Sequence, residues 1–357
     1  MNMINDLPET MSGIATLGHG GLDMLVWRDD LPVPVAAANE VVIKVAAAAV
    51  NNTDINTRIG WYSKAVTGGT DAVGDINDAD ASWSGTALKF PLIQGADCCG
   101  YIVAVGADVD AARIGERVIV RSMQSASSGN LPFITDTFGS EHNGGFAQYT
   151  KTYDAEAFVV DDTLTDTEWA AMPCAFSTAE GMLQRAFLGA ERVLITGASG
   201  GVGAAAVQLA RMRGADVWAM TQATKADAVT ALGAHHILTR DAPLPKTHFD
   251  VVIDLVGGPS WPALLDALKR GGRYVTAGAI AGPIVELDLR TLYLNDLTMF
   301  GSTYQTRSVF EDIIRYVLTG KLRPAIAANY DLRDIRDAQE AFNTKTHVGK
   351  ITLTVPQ

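Results

Sequence analysis

Residues 193–214 read VLITGASGGVGAAAVQLARMRG, an apolar strand that runs into a glycine turn and then into a helix of small residues. Val193, Leu194 and Ile195 form a short buried-strand run, and Gly200, Gly201 and Gly203 permit a tight turn with no Cβ between backbone and ligand. A helix starting near Val202 turns its unpaired N–H groups and the positive end of its dipole toward that turn, an arrangement that holds a dinucleotide pyrophosphate. Ala204, Ala205, Ala206 and Ala210 allow close packing on a sheet, and Gly214 closes the helix. The pattern G-x-G-x-x-G is incomplete, because Ala198 holds the first glycine's place before Gly200 and Gly203. The strand before and the helix after carry the assignment. A nicotinamide dinucleotide is the expected ligand; a glycine turn that binds nothing is the plainer alternative.

Outward from this stretch, strands at 216–220, 235–238, 251–255, 273–277 and 298–301 alternate with helices at 223–232, 260–269 and 289–294. That alternation predicts an α/β fold with a doubly wound parallel sheet. Upstream, β-branched runs at 41–45, 101–105 and 117–120, punctuated by Gly95, Gly100, Gly106 and Gly115, predict a small β-barrel. The tail adds helices at 307–318 and 335–342 and a strand at 351–355 that returns to the barrel. The expected division is a catalytic domain at 1–170 with 305–357, and a cofactor domain at 171–304. Residues 61–90 show no period and carry Asp71, Asp75, Asp78 and Asp80 beside Trp61, Tyr62 and Trp83. Such a loop is either a cover for substrate or a solvated excursion.

A chain of 357 residues with 48% hydrophobic and 19% charged residues has ordinary globular composition. Its formal net charge of -12 disfavours nucleic acid and anionic membranes as partners, both of which call for an excess of Lys and Arg. The first ten residues carry Asp6 and Glu9 and no apolar leader, and the apolar run at 41–50 is short and broken by Lys44. A cytoplasmic protein acting on a small molecule is expected. Cys98, Cys99 and Cys174 are too few for a disulfide framework or a four-thiolate zinc lobe.

Gly95-Ala96-Asp97, Asn143-Gly-Gly-Phe-Ala-Gln-Tyr149, Ser199-Gly-Gly-Val-Gly203 and Leu232-Gly-Ala234 stand together with this domain order. In these segments the chain resembles the medium-chain dehydrogenase/reductase superfamily, over roughly residues 32–355. The resemblance implies a GroES-like catalytic domain, a Rossmann domain, and an active cleft between them. Zinc enzymes of that superfamily take ligands from a Cys-x-Thr/Ser-Asp segment, a Gly-His-Glu segment and a later Cys. Here the first reads Asn51-Asn52-Thr53-Asp54 and the second Gly95-Ala96-Asp97, so only Cys174 matches, and no metal is expected. These departures make the chain similar to the zinc-free quinone oxidoreductase and enone reductase branch. The resemblance also implies a homodimer paired through residues 298–303.

The end of the second strand, near Thr221, lacks the Asp or Glu that bonds an adenosine ribose. Lys225 stands where the quinone reductases hold a 2′-phosphate, Arg240 follows the third strand, and Thr221 and Thr224 add hydroxyls. NADPH is therefore the expected cofactor, with Ser199, Gly200, Gly201, Val202, Gly203, Thr221, Lys225 and Arg240 on its phosphate side. Thr178, Gly257 and Gly278 are expected on its nicotinamide side. Lys225 and Arg240 have the alternative reading of ordinary solvated charges. Without a Lewis acid, conjugate reduction of a quinone or an α,β-unsaturated carbonyl is easier to support than alcohol oxidation. Asn51 and Tyr62 are the candidate catalytic donors; their alternatives are a strand-end hydrogen bond and a pocket roof. A zinc-type alcohol dehydrogenase with atypical ligands and a non-catalytic NADPH-binding protein stay open at this point.

Overall fold

The computed structural model describes residues 7–71, 76–125, 129 and 131–357; Asp6 and Asp75 lie outside the described residues. A parallel six-stranded sheet runs in the order His236–Thr239, Asp216–Thr221, Arg192–Ile195, Phe249–Asp254, Leu268–Thr276, Thr298–Gly301. Numbered along the chain this is 3-2-1-4-5-6, the doubly wound order, whose ligand crevice opens at the carboxyl ends of the central strands. Period-2 alternation sorts the residues to the two faces. Val193 and Ile195 enter one core with the helices Pro173–Arg185, Gly201–Met212 and Arg307–Leu318, whereas Leu194 enters another with Trp261, Leu264 and Tyr274.

The second sheet is mixed and holds Ile326–Asp331, Lys350–Thr354, Glu40–Val50, Asp97–Val105, Arg117–Val120 and Ala157–Val159, with Tyr149–Tyr153 also on Glu40–Val50. The returning strand pairs antiparallel with the early one, Ile351 opposite Val50 and Leu353 opposite Ala48. Val41, Ile43, Val45, Ile102, Phe146 and Leu353 fill the core beneath it.

Several elements differ from their sequence expectation. The strand at 41–45 extends to Glu40–Val50, because Ala47, Ala48 and Ala49 are paired on both sides and fully buried; tertiary pairing overrides alanine's weak strand preference. The helix at 223–232 divides into a 3-10 turn, Ala223–Lys225, and a helix, Ala226–Ala231. The helix at 260–269 ends at Asp266, because Leu268 already pairs with Phe249 in the sheet.

Within the described part of residues 61–90 the regular element is one 3-10 turn, Asp78–Asp80. The segment nevertheless spans the two halves of the molecule. Trp61 Nε1 donates to Gly68 O at 3.1 Å, and Thr70 N donates to Ile280 O, on the loop after Leu268–Thr276, at 3.1 Å.

Candidate active site

A cleft of about 520 Å³ lies between the sheets, at the carboxyl end of the parallel one. One wall is the glycine turn. Gly197 has φ +59°, so the left-handed residue of the turn is Gly197, and Ala198 needs no special conformation. A Cβ on Gly203 would stand 2.2 Å from Gly197 O and 2.7 Å from Ala198 Cα, both backbone atoms. Gly203 is thus required by the close approach of helix to turn, while Gly200 caps the helix. Gly200, Gly201, Val202, Gly203, Thr178 and Gly278 all line the cleft. Gly257 does not; its N–H is held by the Asp254 carboxylate at 3.2 Å. Asp254, fully buried, also accepts from Thr196 Oγ1 and Tyr274 OH, each at 2.6 Å, and so organises the turn at the end of its strand.

Beyond the turn lies a concentration of positive charge. Lys225 is buried, its Nζ donating to Ser199 Oγ at 3.3 Å and to Lys345 O. Burial lowers the Lys225 pKa, and the nearby Arg240, itself exposed, lowers it further. Lys345 is pushed down to about 8 by burial and by Lys225. His347 falls to about 4 through burial and the same lysines. Thr221 Oγ1, at the end of the second strand, is buried without a hydrogen-bond partner. Cations that repel one another beside an unpartnered hydroxyl fit an anion such as a phosphate, which would relieve both. The turn and this cluster together fit a phosphorylated dinucleotide.

The floor of the cleft brings together Asn51 and Cys174 from distant segments, and Ala96 joins the same hydrogen-bond cluster through its N–H. Asp54 accepts from Asn51 N at 2.8 Å and Ala96 N at 2.9 Å. Asp97 accepts from Asn51 Nδ2 at 2.8 Å, Cys174 N at 2.7 Å and Lys350 Nζ at 3.0 Å. Lys350 also donates to Asn51 Oδ1 and to Val50 O. Burial raises Asp54 to about 7, and it pushes the Cys174 thiol well up. This donor set does not fit a divalent metal: the Ala96 side chain has no ligating atom, the Asn51 oxygen faces an ammonium, and Cys174 is left as one ligand side chain where three are needed.

The opposite wall is aromatic. Tyr62 and Trp83 stack with ring centroids 5.7 Å apart and planes within 17°, and Trp61 meets Tyr62 edge-on. Tyr62 OH donates to Thr53 Oγ1 at 3.2 Å, and burial raises its pKa, which keeps the phenol protonated. His142 lies elsewhere, paired with Asp136 at 3.2 Å beside a separate small pocket.

Of the residues expected from sequence, the structure brings Asn51, Tyr62, Thr178, Gly200, Gly201, Val202, Gly203 and Gly278 to the cleft. It links Ser199 to Lys225 behind the turn. Sequence reasoning missed Lys345 and Lys350. The available signal for Lys350 was a single charge opening the otherwise uncharged strand Lys350–Thr354.

A doubly wound parallel sheet sharing a cleft with a mixed sheet defines a two-domain, dinucleotide-dependent oxidoreductase. Residues 37–162 match the alcohol dehydrogenase GroES-like domain, and residues 201–319 match the zinc-binding dehydrogenase family. A solved structure from Sinorhizobium meliloti 1021, provisionally named an alcohol dehydrogenase, is 41% identical with TM-score 0.89, covering 99% of both chains. The cobalt- and zinc-bound thermostable alcohol dehydrogenase of Pyrobaculum aerophilum is 29% identical with TM-score 0.80, over 97% of this chain and 99% of that one. The acryloyl-coenzyme A reductase of Metallosphaera sedula is 29% identical over 96% of this chain and all of its own, 100%. The quinone oxidoreductase of Lama guanicoe is 28% identical over 96% of this chain and 97% of its own. The chain belongs to the medium-chain dehydrogenase/reductase superfamily. No helix among the described residues is long and apolar enough to cross a membrane.

Proposed function

We propose that the chain is an NADPH-dependent reductase of quinones or α,β-unsaturated carbonyls that works without zinc. The observation that carries this reading is the floor of the cleft, where Asn51 and Ala96 replace two ligand positions of the zinc enzymes of the superfamily and the Asn51 amide oxygen accepts from the Lys350 ammonium. NADPH, when bound, supplies the hydride. The glycine turn from Gly197 to Gly203 would hold its pyrophosphate; Lys225, Lys345, Arg240, Ser199 and Thr221 would hold the 2′-phosphate. Thr178 and Gly278 would border the nicotinamide.

On the acceptor side, the stacked Tyr62 and Trp83 offer a flat apolar surface to a conjugated ring or enone. The Tyr62 phenol stays protonated and, on turning its one O–H away from Thr53 Oγ1, is the candidate donor toward the acceptor's oxygen or the carbon left to be protonated. Both Asn51 Nδ2 and Oδ1 are engaged with Asp97 and Lys350, which makes Asn51 a fixed part of the floor. The strap from Trp61 to Thr70 lines the cleft and is tied to the loop at Ile280, a placement from which it would limit water around the acceptor.

The test is NADPH and NADH oxidation with 1,4-benzoquinone, 9,10-phenanthrenequinone, 2-alkenals, an enoyl-coenzyme A and simple aldehydes, with elemental analysis of the same preparation. Metal-free, NADPH-selective turnover of quinones or enals is expected. Aldehyde reduction that tracks bound zinc, or tight NADPH binding with no turnover, overturns the reading. The related enzymes named for quinones, alkenals and acryloyl-coenzyme A support the reaction class without choosing among these acceptors.

A further inference from the structure

The side chain of Lys350 is 3% exposed, and its ammonium is fully committed. It has three N–H groups and three acceptors: Val50 O at 3.1 Å, Asp97 Oδ2 at 3.0 Å, and Asn51 Oδ1. It therefore has no free N–H to donate to a substrate and acts through its charge and its hold on its partners. Its stem is pinned as well, since a Cβ on Gly201 would lie 2.8 Å from Lys350 Cδ. Lys350 and Asn51 line the cleft, whereas Asp97 and Asp54 do not. Asp97 is fully buried, and both its oxygens accept hydrogen bonds from groups between it and its surroundings. The ion pair is thus a fixed dipole with its cationic end at the floor of the cleft.

We propose that Lys350 is a positioning residue that serves as a built-in cation: it holds the Asn51 amide and the Asp97 carboxylate in register and gives the floor a positive potential. That potential favours negative charge growing on an acceptor oxygen during reduction. The proposal rests on the reductase reading for its catalytic part. It makes a separate statement about the empty protein, that the floor prefers an oxyanion to its neutral acid.

The test compares wild type with Lys350→Met and with the double variant Lys350→Met, Asp97→Asn. The single variant leaves a buried carboxylate without its counterion and is expected to fold poorly. The double variant removes both charges and keeps an amide oxygen for Cys174 N. Single-turnover hydride transfer to 9,10-phenanthrenequinone is expected to slow at least 10-fold in the double variant, with the NADPH dissociation constant within threefold of wild type. In cofactor-free protein, absorbance titration of 4-nitrophenol across its ionisation is expected to show at least 10-fold tighter binding of the phenolate by wild type, a preference the double variant loses.

Recovery of hydride transfer to within threefold in the double variant would mean that Lys350 only neutralises Asp97, and would overturn the proposal. So would a parallel loss of NADPH affinity, which assigns the lysine to the cofactor. Equal affinity of wild type for phenol and phenolate, or none for the phenolate, overturns it without reference to turnover. Failure of wild type to reduce any quinone or α,β-unsaturated carbonyl removes the reductase reading, while the nitrophenolate titration still decides whether the floor is cationic.

Discussion

The two sides of the cleft are built by different means. The proposed cofactor side is backbone: a strand, a turn whose Gly197 lies at φ +59°, and a helix brought so close that Gly203 admits no Cβ. The proposed acceptor side is side chains, those of Asn51, Tyr62, Trp83, Cys174 and Lys350, held by hydrogen bonds to the buried Asp97 and by ring stacking. A backbone site tolerates little change because its shape is the chain path itself. A side-chain site can be altered one residue at a time, which is how one scaffold comes to serve different acceptors.

The sharpest way to break this contrast is Gly203→Val. The new Cβ would meet Gly197 O and Ala198 Cα, neither of which can swing aside, so the turn must open. NADPH affinity should fall by roughly a thousandfold, about 4 kcal/mol, as read by quenching or enhancement of NADPH fluorescence. Binding within tenfold of wild type would show that side chains, not the turn, hold the cofactor.

Next in size is the double variant Lys225→Met, Lys345→Met. Each charge-assisted contact to a phosphate contributes about 1.5 kcal/mol at the lower end of its range, so losing two should cost about 3 kcal/mol and drop NADPH affinity on the order of 100-fold while NADH affinity changes little. Titration calorimetry with the two cofactors measures the difference directly; equal losses would place the lysines on the pyrophosphate. Because Lys345 is held down to about 8, its charge in the free protein is lost as pH rises past 8, and NADPH affinity should weaken between pH 8 and 9. The double variant should lack that dependence.

The smallest effect belongs to the aromatic wall. Trp83→Ala removes one member of the stack, worth about 0.5–1.5 kcal/mol, and should raise KM for phenanthrenequinone roughly 3- to 10-fold with the NADPH dissociation constant unchanged. An acyclic 2-alkenal should be affected less. Equal effects on both acceptors would mean that Trp83 only supports the strap.

The same contrast explains what was legible in the sequence. The cradle occupies consecutive residues with a strand before and a helix after, so periodicity and glycine placement were enough to find it. Even there one detail escaped: the turn's left-handed residue is Gly197, adjacent to the Ala198 that breaks the familiar spacing. Asn51 and Cys174 were found because short motifs surround them. Lys350 was not, because a lysine at the start of a strand reads as a solvated end until Glu40–Val50 and Asp97–Val105 close around it. Lys345 escaped for the same reason, lying far along the chain from the Lys225 beside which it packs. The helix expected at 260–269 shows the opposite error, in which local propensity was clear and sheet pairing at Leu268 prevailed.

The pairing of Glu40–Val50 with Lys350–Thr354 also sets an order of events during translation. The later strand follows the earlier by about 300 residues. At roughly 5–20 residues per second, the Ala47–Val50 edge waits on the order of 15–60 s for its neighbour. The parallel sheet emerges whole within that interval and can close first. Over roughly the last 50 residues before Lys350, about 2.5–10 s at the same rate, the nascent chain would then carry a finished parallel sheet beside a mixed sheet with one seam open, a stretch of alanine and valine edge that a chaperone would be the first to meet.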